Sequence, residues 1–225
     1  MTGSRLVWGD GYACFRGGPV ADTGTHAHAA FQVVLGDVAV ADERGTVHRG
    51  PALVVPPGVR HRMLAADDVS TVFVDPHSAL ADRLRRYGTG RITPVADLDV
   101  DTLRAAGPSR PAGLDARLLD AMRMLARPDP PPMPQLAAAV GLSPQRLRTL
   151  ARQQLGVPLA RWRLWRRLAR AVRELETGNG LAEAATAAGF ADQAHLTRQM
   201  RALLGVTPQS VREALSLPPR GVDRD

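Results

Sequence analysis

The chain of 225 residues is 44% hydrophobic and has one cysteine, so it can bury a core in one or two domains but can form no intramolecular disulfide. Its N-terminus lacks the basic segment and apolar run of a signal peptide, and no uninterrupted apolar stretch approaches the ~20 residues that span a bilayer. We therefore expect a cytoplasmic protein that has no membrane partner.

The excess positive charge is confined to the second half of the chain. Residues 1–113 contain 12 arginines and 12 acidic residues, whereas residues 114–225 contain 17 arginines and 10 acidic residues, which is the whole net charge of +7. A basic half beside a neutral half indicates a module that binds a polyanion, joined to a module with another task. Every basic residue is arginine in both halves, so that bias alone does not indicate phosphate binding.

Short β-rich runs separated by glycine, proline and aspartate fill the sequence from Leu6 to Val74. The clearest runs are FQVVL, VAVA, ALVV and TVFV, and none of them keeps a helical period. This pattern predicts a β-sandwich or a small barrel. We assign residues 1–106 to this first domain, with a short helix predicted at residues 97–106.

Two clusters of polar residues stand out within the β-rich region. The first is His26-x-His28-x-x-x-Gln32, and the second is Pro56-x-Gly58-x-x-His61. On a strand, the two histidines of the first cluster would point to the same face, because the side-chain period of a strand is two. A jelly roll could bring the histidine of the second cluster alongside them.

The two clusters resemble the two motifs of the cupin family, HxH followed by a carboxylate or amide, and PxG followed by histidine. The resemblance covers about residues 24–63 and implies that His26, His28, Gln32 and His61 point into a β-barrel or jelly roll as ligands of one divalent metal. Three imidazoles and an amide oxygen suit Zn, Fe, Ni, Cu or Mn. Metal-binding cupins usually have Glu in place of Gln32, and losing that charge weakens the site. The alternative is a metal-free pocket in which these side chains bind one another or an organic ligand.

Residues 78–87 are predicted to form a helix after the last β-rich run, with Leu80, Leu84 and Tyr87 on one side. Helices in this position can mediate dimerisation, and they can equally pack against their own barrel; the sequence leaves both open. For His77, next to the start of the helix, we expect a surface or capping role.

The second half of the chain, residues 114–215, contains one helical unit twice. An Ala-rich helix, Gly141, a predicted N-cap at Ser143 and a second helix follow one another, and the same order returns at Gly189 with Asp192 as the cap. The two glycines are 48 residues apart. We therefore predict an all-α domain with two helix-turn-helix units.

Three segments surround the two units. Between them, residues 158–178 predict one long helix, in which Trp162 and Trp165 are expected to lie in the core rather than stack on bases. Residues 107–113, GPSRPAG, cannot continue a helix and are predicted to be the linker between the domains. Residues 216–225 are predicted to be a disordered tail.

Over about residues 115–213 the chain resembles the AraC/XylS family of bacterial transcription regulators. The elements that carry the resemblance occur in the family's order: A-x-x-x-G-[LF]-S-P around Gly141, Arg167-Leu168-x-x-Ala171, Gly189-Phe190-x-Asp-Gln-x-His195-Leu-x-Arg198, and Gly205-Val-Thr-Pro208. A cupin in front of this domain is the family's usual arrangement. The resemblance implies two recognition helices in successive major grooves, about 34 Å apart on one face of the duplex.

The same resemblance implies the side chains that meet DNA. In the first recognition helix, base contacts are expected from Gln145, Arg148 and Thr149, and phosphate contacts from Arg146 and Arg152. In the second recognition helix, Gln193, His195, Thr197 and Arg198 are expected to face the groove, with Arg201 on the DNA backbone. Arginine can bind guanine, and glutamine adenine, through two hydrogen bonds.

Some of these assignments have alternatives. Arg148 and Arg198 could instead make phosphate contacts that carry no sequence information, and His195 could hydrogen-bond within its own domain. Ala151 stands where the family usually has Phe, and Thr149 where it often has Arg. We therefore expect the first unit to pack more loosely and to read less sequence than the second.

The sequence thus favours a non-enzymatic transcription regulator that binds double-stranded DNA and forms a homodimer, with RNA polymerase as a candidate partner. Its cupin domain would sense a small molecule or a divalent metal. The alternative is a metal-dependent cupin enzyme, such as a dioxygenase or isomerase, fused to a DNA-binding domain. Open coordination positions at His26, His28 and His61 would permit that chemistry, but no acid or base partner is evident around them.

Overall fold

The computed structural model describes residues 5–88, 90–98, 113–127 and 129–216. The predicted helix at 97–106, the linker at 107–113 and the tail at 216–225 lie almost entirely outside these residues. The placement of the domain boundary therefore stays a prediction. None of the described helices is long and apolar enough to cross a bilayer.

The first half of the chain forms one antiparallel sheet. Its strands are β1 (Arg5–Gly9), β2 (Tyr12–Arg16), β3 (Phe31–Asp42), β4 (Val47–Val55), β5 (His61–Met63), β6 (Ser70–Val74) and β7 (Thr93–Pro94). They lie in the order β1-β2-β6-β3-β4-β7, and β5 pairs with β3. Among the described strands this path is open rather than closed into a barrel, which is compatible with the predicted jelly roll. The edge strand β7 ends in Pro94, which has no N–H to offer a further strand.

The central strand β3 joins two runs, FQVVL and VAVA, that the sequence suggested were separate. Its register shifts between Leu35 and Val38, and Gly36 takes a φ of 124° there. Such a bulge bends the strand, so its first part pairs with β6 and its last part with β5. Successive side chains of β3 point to opposite faces of the sheet. The neighbours Val33 and Val34, both fully buried, therefore belong to separate apolar clusters on the two faces.

The predicted helix at 78–87 is observed as α1 (Ala79–Arg85). Its leucines Leu80 and Leu84 are buried in the cluster on one face of the sheet, so the helix packs on its own domain. The predicted homodimer would need another surface and stays a prediction. Ser78 caps the helix by accepting a hydrogen bond from the Ala81 amide. His77 has neither the surface nor the capping role expected of it: Ser78 supplies the cap, and the half-buried His77 ring packs against Trp162 with centroids 5.6 Å apart.

The second half of the chain is helical. Its helices are α2 (Ala116–Leu125), α3 (Met133–Ala139), α4 (Pro144–Leu155), α5 (Leu159–Glu176), α6 (Leu181–Ala187), α7 (Gln193–Leu204) and α8 (Pro208–Ser216). The pairs α3–α4 and α6–α7 are the two predicted helix-turn-helix units, and α5 is the helix that joins them. Trp162 and Trp165 of α5 lie in the core with 2% and 7% of their surface exposed, as the sequence suggested.

The two halves of the chain share one apolar cluster. Leu6, Ala29 and Ala30 of the first half belong to the same cluster as the helical core of the second half. Polar contacts add to this interface: Arg161 of α5 donates to the Ala27 carbonyl at 2.9 Å, and Arg166 pairs with Asp75 at 2.8 Å. The sheet is therefore packed directly on the helix that connects the two helix-turn-helix units.

Candidate functional site

The four side chains of the two predicted metal motifs meet in the interior. His26, His28, Gln32 and His61 are each at most 2% exposed, and the candidate ligand nitrogens of the three histidines lie within 4.8 Å of one another. The two histidines of the first motif lie before β3 rather than on a strand, and His26 joins His61 through a single β-bridge. That bridge brings the two motifs together.

The atoms at the centre of this histidine cluster, the three Nε2 nitrogens and the Gln32 amide, cannot all form hydrogen bonds with one another. His26 Nδ1 lies 2.6 Å from the Gly24 carbonyl oxygen, and His61 Nδ1 lies 3.0 Å from the Val59 carbonyl oxygen. Because a carbonyl only accepts, each Nδ1 carries the proton of a neutral imidazole, and each Nε2 presents a lone pair. Gln32 Oε1 lies 2.8 Å from His61 Nε2, which places two acceptors in contact.

Reversing the Gln32 amide does not remove this conflict. Its nitrogen would then face the Nε2 atoms of His28 and His61, at 3.1 and 2.8 Å. If His28 Nε2 carries a proton, it meets the amide as a second donor. If it carries none, it meets His26 Nε2, 3.1 Å away, as a second acceptor. A cation bound by the three imidazoles and the Gln32 Oε1 oxygen would resolve the conflict, and it requires the amide orientation in which that oxygen faces inward.

Protonation of the cluster is opposed by burial. Burial, together with the nearby His26, lowers the pKa of His61 from 6.5 to about 4. Burial is also the main reason why the pKa of His28 lies well below its usual range and that of His26 is lowered. Near neutral pH the three rings are therefore neutral, which is the form that binds a metal.

The spacing of the nitrogens also suits a metal. Two nitrogens bound to one tetrahedral metal at about 2.1 Å lie about 3.4 Å apart. The Nε2 atoms of His26 and His28 are 3.1 Å apart, so a small outward movement would admit the ion. The residues present therefore fit a divalent cation.

Both recognition helices end against the cupin-like motifs. Helix α4 ends at Gly156, whose carbonyl oxygen lies 3.1 Å from the position that a Cβ on Gly58 would take. Helix α7 ends at Gly205, where a Cβ would lie 2.5 Å from His26 Nδ1 and 2.8 Å from the Gly24 carbonyl oxygen. Sequence reasoning missed these contacts, because each glycine is explained locally as a C-cap with positive φ.

The predicted DNA-contacting side chains form a polar stripe on each recognition helix, narrow on α4 and wider on α7, and most of them are exposed. Gln145, Arg148, Thr149 and Arg152 recur at the i, i+3, i+4 and i+7 spacing of one helix face, and only Thr149 is half-buried. Arg146 is exposed beside this stripe. On α7, Gln193, Arg198 and Arg201 are exposed, while His195 and Thr197 are half-buried. The buried sides of the helices are anchored by residues such as Leu147 and Leu196.

Local contacts stabilise the start of α7, and they engage the ring and the Nδ1 atom of His195. Asp192 Oδ1 accepts a hydrogen bond from the His195 amide at 2.6 Å, which confirms the predicted N-cap. The His195 ring packs edge-on against Phe190 with centroids 5.4 Å apart, and its Nδ1 accepts from the Ala191 amide at 3.4 Å. Because Nδ1 accepts, the proton lies on Nε2, which remains a donor.

A cavity of about 830 Å³ lies where the sheet meets α5. His26, His28 and Gln32 reach its wall, so the histidine cluster borders it. Aromatic side chains from both halves of the chain also line it: Trp8, Tyr12, Phe15, Phe73 and Trp165. A pocket of this size suits a small organic ligand.

The helical half of the chain matches a known family. Residues 136–214 match a protein-family model described as a helix-turn-helix domain. A search of curated protein sequences finds no match to the chain.

Solved structures resemble most of the chain. ToxT from Vibrio cholerae O395 is 10% identical, with a TM-score of 0.57 over 92% of this chain and 99% of that chain. ToxT from strain SCE256 bound to an unsaturated fatty acid is 10% identical, with a TM-score of 0.57 over 98% of this chain and 100% of that chain. A transcriptional regulator of Chromobacterium violaceum with an AraC-type DNA-binding domain is 28% identical, with a TM-score of 0.41 over 45% of this chain and 94% of that chain. The ToxT structures share the two-domain fold.

Proposed function

We propose that this chain, whose residues 136–214 match a helix-turn-helix domain model, is an AraC-type transcription regulator that reads DNA sequence with α4 and α7 and binds a small molecule in its N-terminal half. The observation that carries the proposal is the pair of exposed polar stripes on α4 and α7. Each stripe is backed by fully buried leucines, so both helices present their polar faces outward. Two such helices joined by a stiff helix suit two successive major grooves.

The side chains proposed to contact DNA fall into two groups, those that contact bases and those that contact phosphate. Arg148 and Arg198 are proposed to read bases, because each is exposed and lies between the first and last predicted contacts of its helix. Arg146, Arg152 and Arg201 are proposed to bind phosphate. Gln145, Thr149, Gln193, His195 and Thr197 are proposed to complete the base contacts.

Removing Arg148 and Arg198 together should weaken DNA binding and flatten sequence preference. Each bidentate arginine–guanine contact contributes about 1–3 kcal/mol of discrimination. The double variant Arg148→Ala/Arg198→Ala should therefore bind at least about 10-fold more weakly to a duplex that the unaltered protein selects from a random library.

A matched control removes the same charge elsewhere. Arg44 and Arg49 are exposed in the hairpin region of the sheet, and Arg44→Ala/Arg49→Ala should leave both affinity and preference unchanged. Affinity should be measured by a mobility shift at several salt concentrations. Equal binding of the two double variants to the selected duplex would exclude α4 and α7 as the reading helices.

The cavity beside α5 is the proposed site for the small molecule. Its aromatic lining and its volume suit an apolar body, and its arginines suit an anionic group. The unsaturated fatty acid bound to ToxT has both features. We therefore propose an apolar carboxylate as the ligand class, which the next subsection takes further.

We also propose that His26, His28, Gln32 and His61 bind one divalent cation, one of Zn, Fe, Ni, Cu or Mn. The conflict among the inward-facing lone pairs supports this proposal. A bound cation would supply positive charge and would fix the two cupin-like motifs against each other. The described residues place no carboxylate in the cluster, so we propose binding rather than catalysis there.

Metal binding should depend on His61 and improve with a carboxylate at position 32. Dialysed protein titrated with Zn²⁺ should bind one ion. His61→Ala should remove this binding, and Gln32→Glu should strengthen it, because an anionic ligand replaces a neutral one.

The matched control is His48→Ala, since His48 lies in the β3–β4 hairpin and pairs with Asp42 at 3.4 Å. That variant should bind Zn²⁺ like the unaltered protein. Calorimetry would measure the Zn²⁺ affinity, and elemental analysis would measure the number of ions bound. Zn²⁺ binding that survives His61→Ala would place the ion elsewhere.

A further inference from the structure

We propose that Arg163, Arg167 and Arg170 of α5 bind the anionic group of the small molecule and that this group acts on the turn before α7. The proposal rests on the cavity being the ligand site of the proposed regulator. Its ligand class is an apolar carboxylate whose hydrophobic part lies among the aromatic side chains of the cavity.

The charges that line the cavity are unbalanced. Six arginines and two aspartates contribute to its wall. Asp75 already pairs with Arg166 at 2.8 Å, and Asp22 lies 3.9 Å from Arg62 and accepts from the Ala65 amide. The cavity therefore has guanidinium groups that neither carboxylate neutralises.

Three of these arginines form one cluster on α5. Arg163, Arg167 and Arg170 are spaced at i, i+4 and i+7, so they share a helix face. Within the described part of the chain, none of the three pairs with a carboxylate. Partial burial, followed by the charges of Arg163 and Arg170, lowers the pKa of Arg167. An anion bound among them would relieve this repulsion, which solvent alone screens only in part.

Arg167 connects the cavity to the second helix-turn-helix unit. Its Nε–H donates to the Ala188 carbonyl at 3.2 Å, and its guanidinium lies 4.3 Å from the centre of the Phe190 ring. Between these two residues, Gly189 takes a φ of 80°, the turn that leads into α7. An anion bound to Arg167 would therefore contact a side chain that itself contacts the turn before the second recognition helix.

The position of the cluster also favours an amphipathic ligand over a small inorganic anion. Trp165 lies on the same helix, lines the same cavity, and packs against Phe73 of the sheet with ring centroids 5.4 Å apart. Arg163 and Arg167 are half-buried, whereas Arg170 is exposed. The cavity wall therefore combines an apolar surface at Trp165 with a charged one at the three arginines, which matches a ligand with an apolar body and one charged end.

The test compares a fluorescent unsaturated fatty acid, cis-parinaric acid, with its methyl ester on the full-length protein. Arg163→Gln/Arg170→Gln should weaken binding of the acid about 10-fold or more, because charge-assisted hydrogen bonds are lost. Binding of the uncharged ester should be unchanged. Arg163→Lys/Arg170→Lys should retain part of the acid affinity, and Arg44→Gln/Arg49→Gln should retain all of it.

A second measurement separates the site from DNA binding. Without the acid, Arg163→Gln/Arg170→Gln should bind the selected duplex like the unaltered protein. In the unaltered protein, saturating acid should change duplex affinity, and this change should be reduced in Arg167→Gln.

Each contrary result overturns the proposal. Unchanged acid affinity in the glutamine variant, or an equal loss for acid and ester, would exclude an anion site. Loss of duplex affinity without the acid, with acid binding retained, would assign the arginines to DNA phosphate. If neither probe binds the unaltered protein, this ligand class is wrong, while the DNA-reading proposal still stands or falls by the variants of Arg148 and Arg198.

Discussion

Gly205→Ala should separate the end of α7 from the histidine cluster, whereas Gly141→Ala should only strain its own turn. Both glycines have a positive φ, 70° and 68°, which costs a residue with a Cβ about 1–2 kcal/mol. They differ in their surroundings. A Cβ on Gly205 would lie 2.5 Å from His26 Nδ1, whereas a Cβ on Gly141 would meet nothing within 4 Å.

The expected loss of stability follows from this difference. Overpacking adds about 1–3 kcal/mol to the backbone strain, so Gly205→Ala should lower the free energy of unfolding by about 2–5 kcal/mol. Gly141→Ala should lower it by about 1–2 kcal/mol. Gly156→Ala should resemble Gly141→Ala, because its Cβ would meet Pro57 at ordinary contact distances of 3.4 Å and above.

Two measurements check this ordering. Urea denaturation gives the free energies of unfolding, and amide hydrogen exchange reports the interface directly. The Gly24 amide donates to the Gly205 carbonyl at 3.4 Å, so exchange at residues 24–28 should accelerate in Gly205→Ala but not in the other two variants. Equal exchange in all three would show that α7 does not rest on the histidine cluster in solution.

The contact at Gly205 offers a route by which a change in one half could reach the other. His26 donates through Nδ1 to the Gly24 carbonyl oxygen. Both of these atoms lie close to Gly205. We therefore expect that a change in the position of His26 would act on the last turn of α7. The first unit has a parallel contact, in which Gly156 approaches Gly58 of the second motif. Each cupin-like motif thus touches the end of one recognition helix.

Local sequence patterns were sufficient for the elements of the helical half. The glycine turns and the caps at Ser143 and Asp192 depend only on neighbouring residues, and both caps are observed. The histidine motifs were also recognised from spacing alone. Their meeting depends on the bridge between His26 and His61, which a jelly-roll topology made expected.

The sheet and the cavity depended on contacts that are distant in sequence. Gly36 interrupts the apolar run of β3, so one bulged strand resembled two short strands. The sequence around the arginines of α5 does not indicate a ligand site, because nothing near them in sequence shows that a sheet covers part of the helix. Arg167 is half-buried because it lies against Ala188 and Phe190, which are more than 20 residues away in sequence. The i and i+4 spacing of Arg163 and Arg167 was the available signal, and it does not distinguish a ligand site from solvent.

Trp165→Ala should cause a large loss of stability at the interface between the halves. Trp165 is 7% exposed, and its ring lies 5.4 Å from that of Phe73 and 5.6 Å from that of His28. Truncating a buried tryptophan costs about 3–5 kcal/mol. Urea denaturation should show this loss, and Trp165→Phe should recover most of it because an aromatic ring remains.

A double-mutant cycle shows whether the contact between the halves contributes to this loss. Trp165→Ala and Phe73→Ala, measured singly and together, should be coupled by about 0.5–1.5 kcal/mol, as expected for an aromatic pair. The matched control is Phe15 with Phe73, whose rings lie 6.2 Å apart within the sheet. Coupling in the control cycle but none between Trp165 and Phe73 would mean that the sheet does not dock on α5 in solution. The cavity between them would then not form, and the carboxylate site would lose its apolar wall.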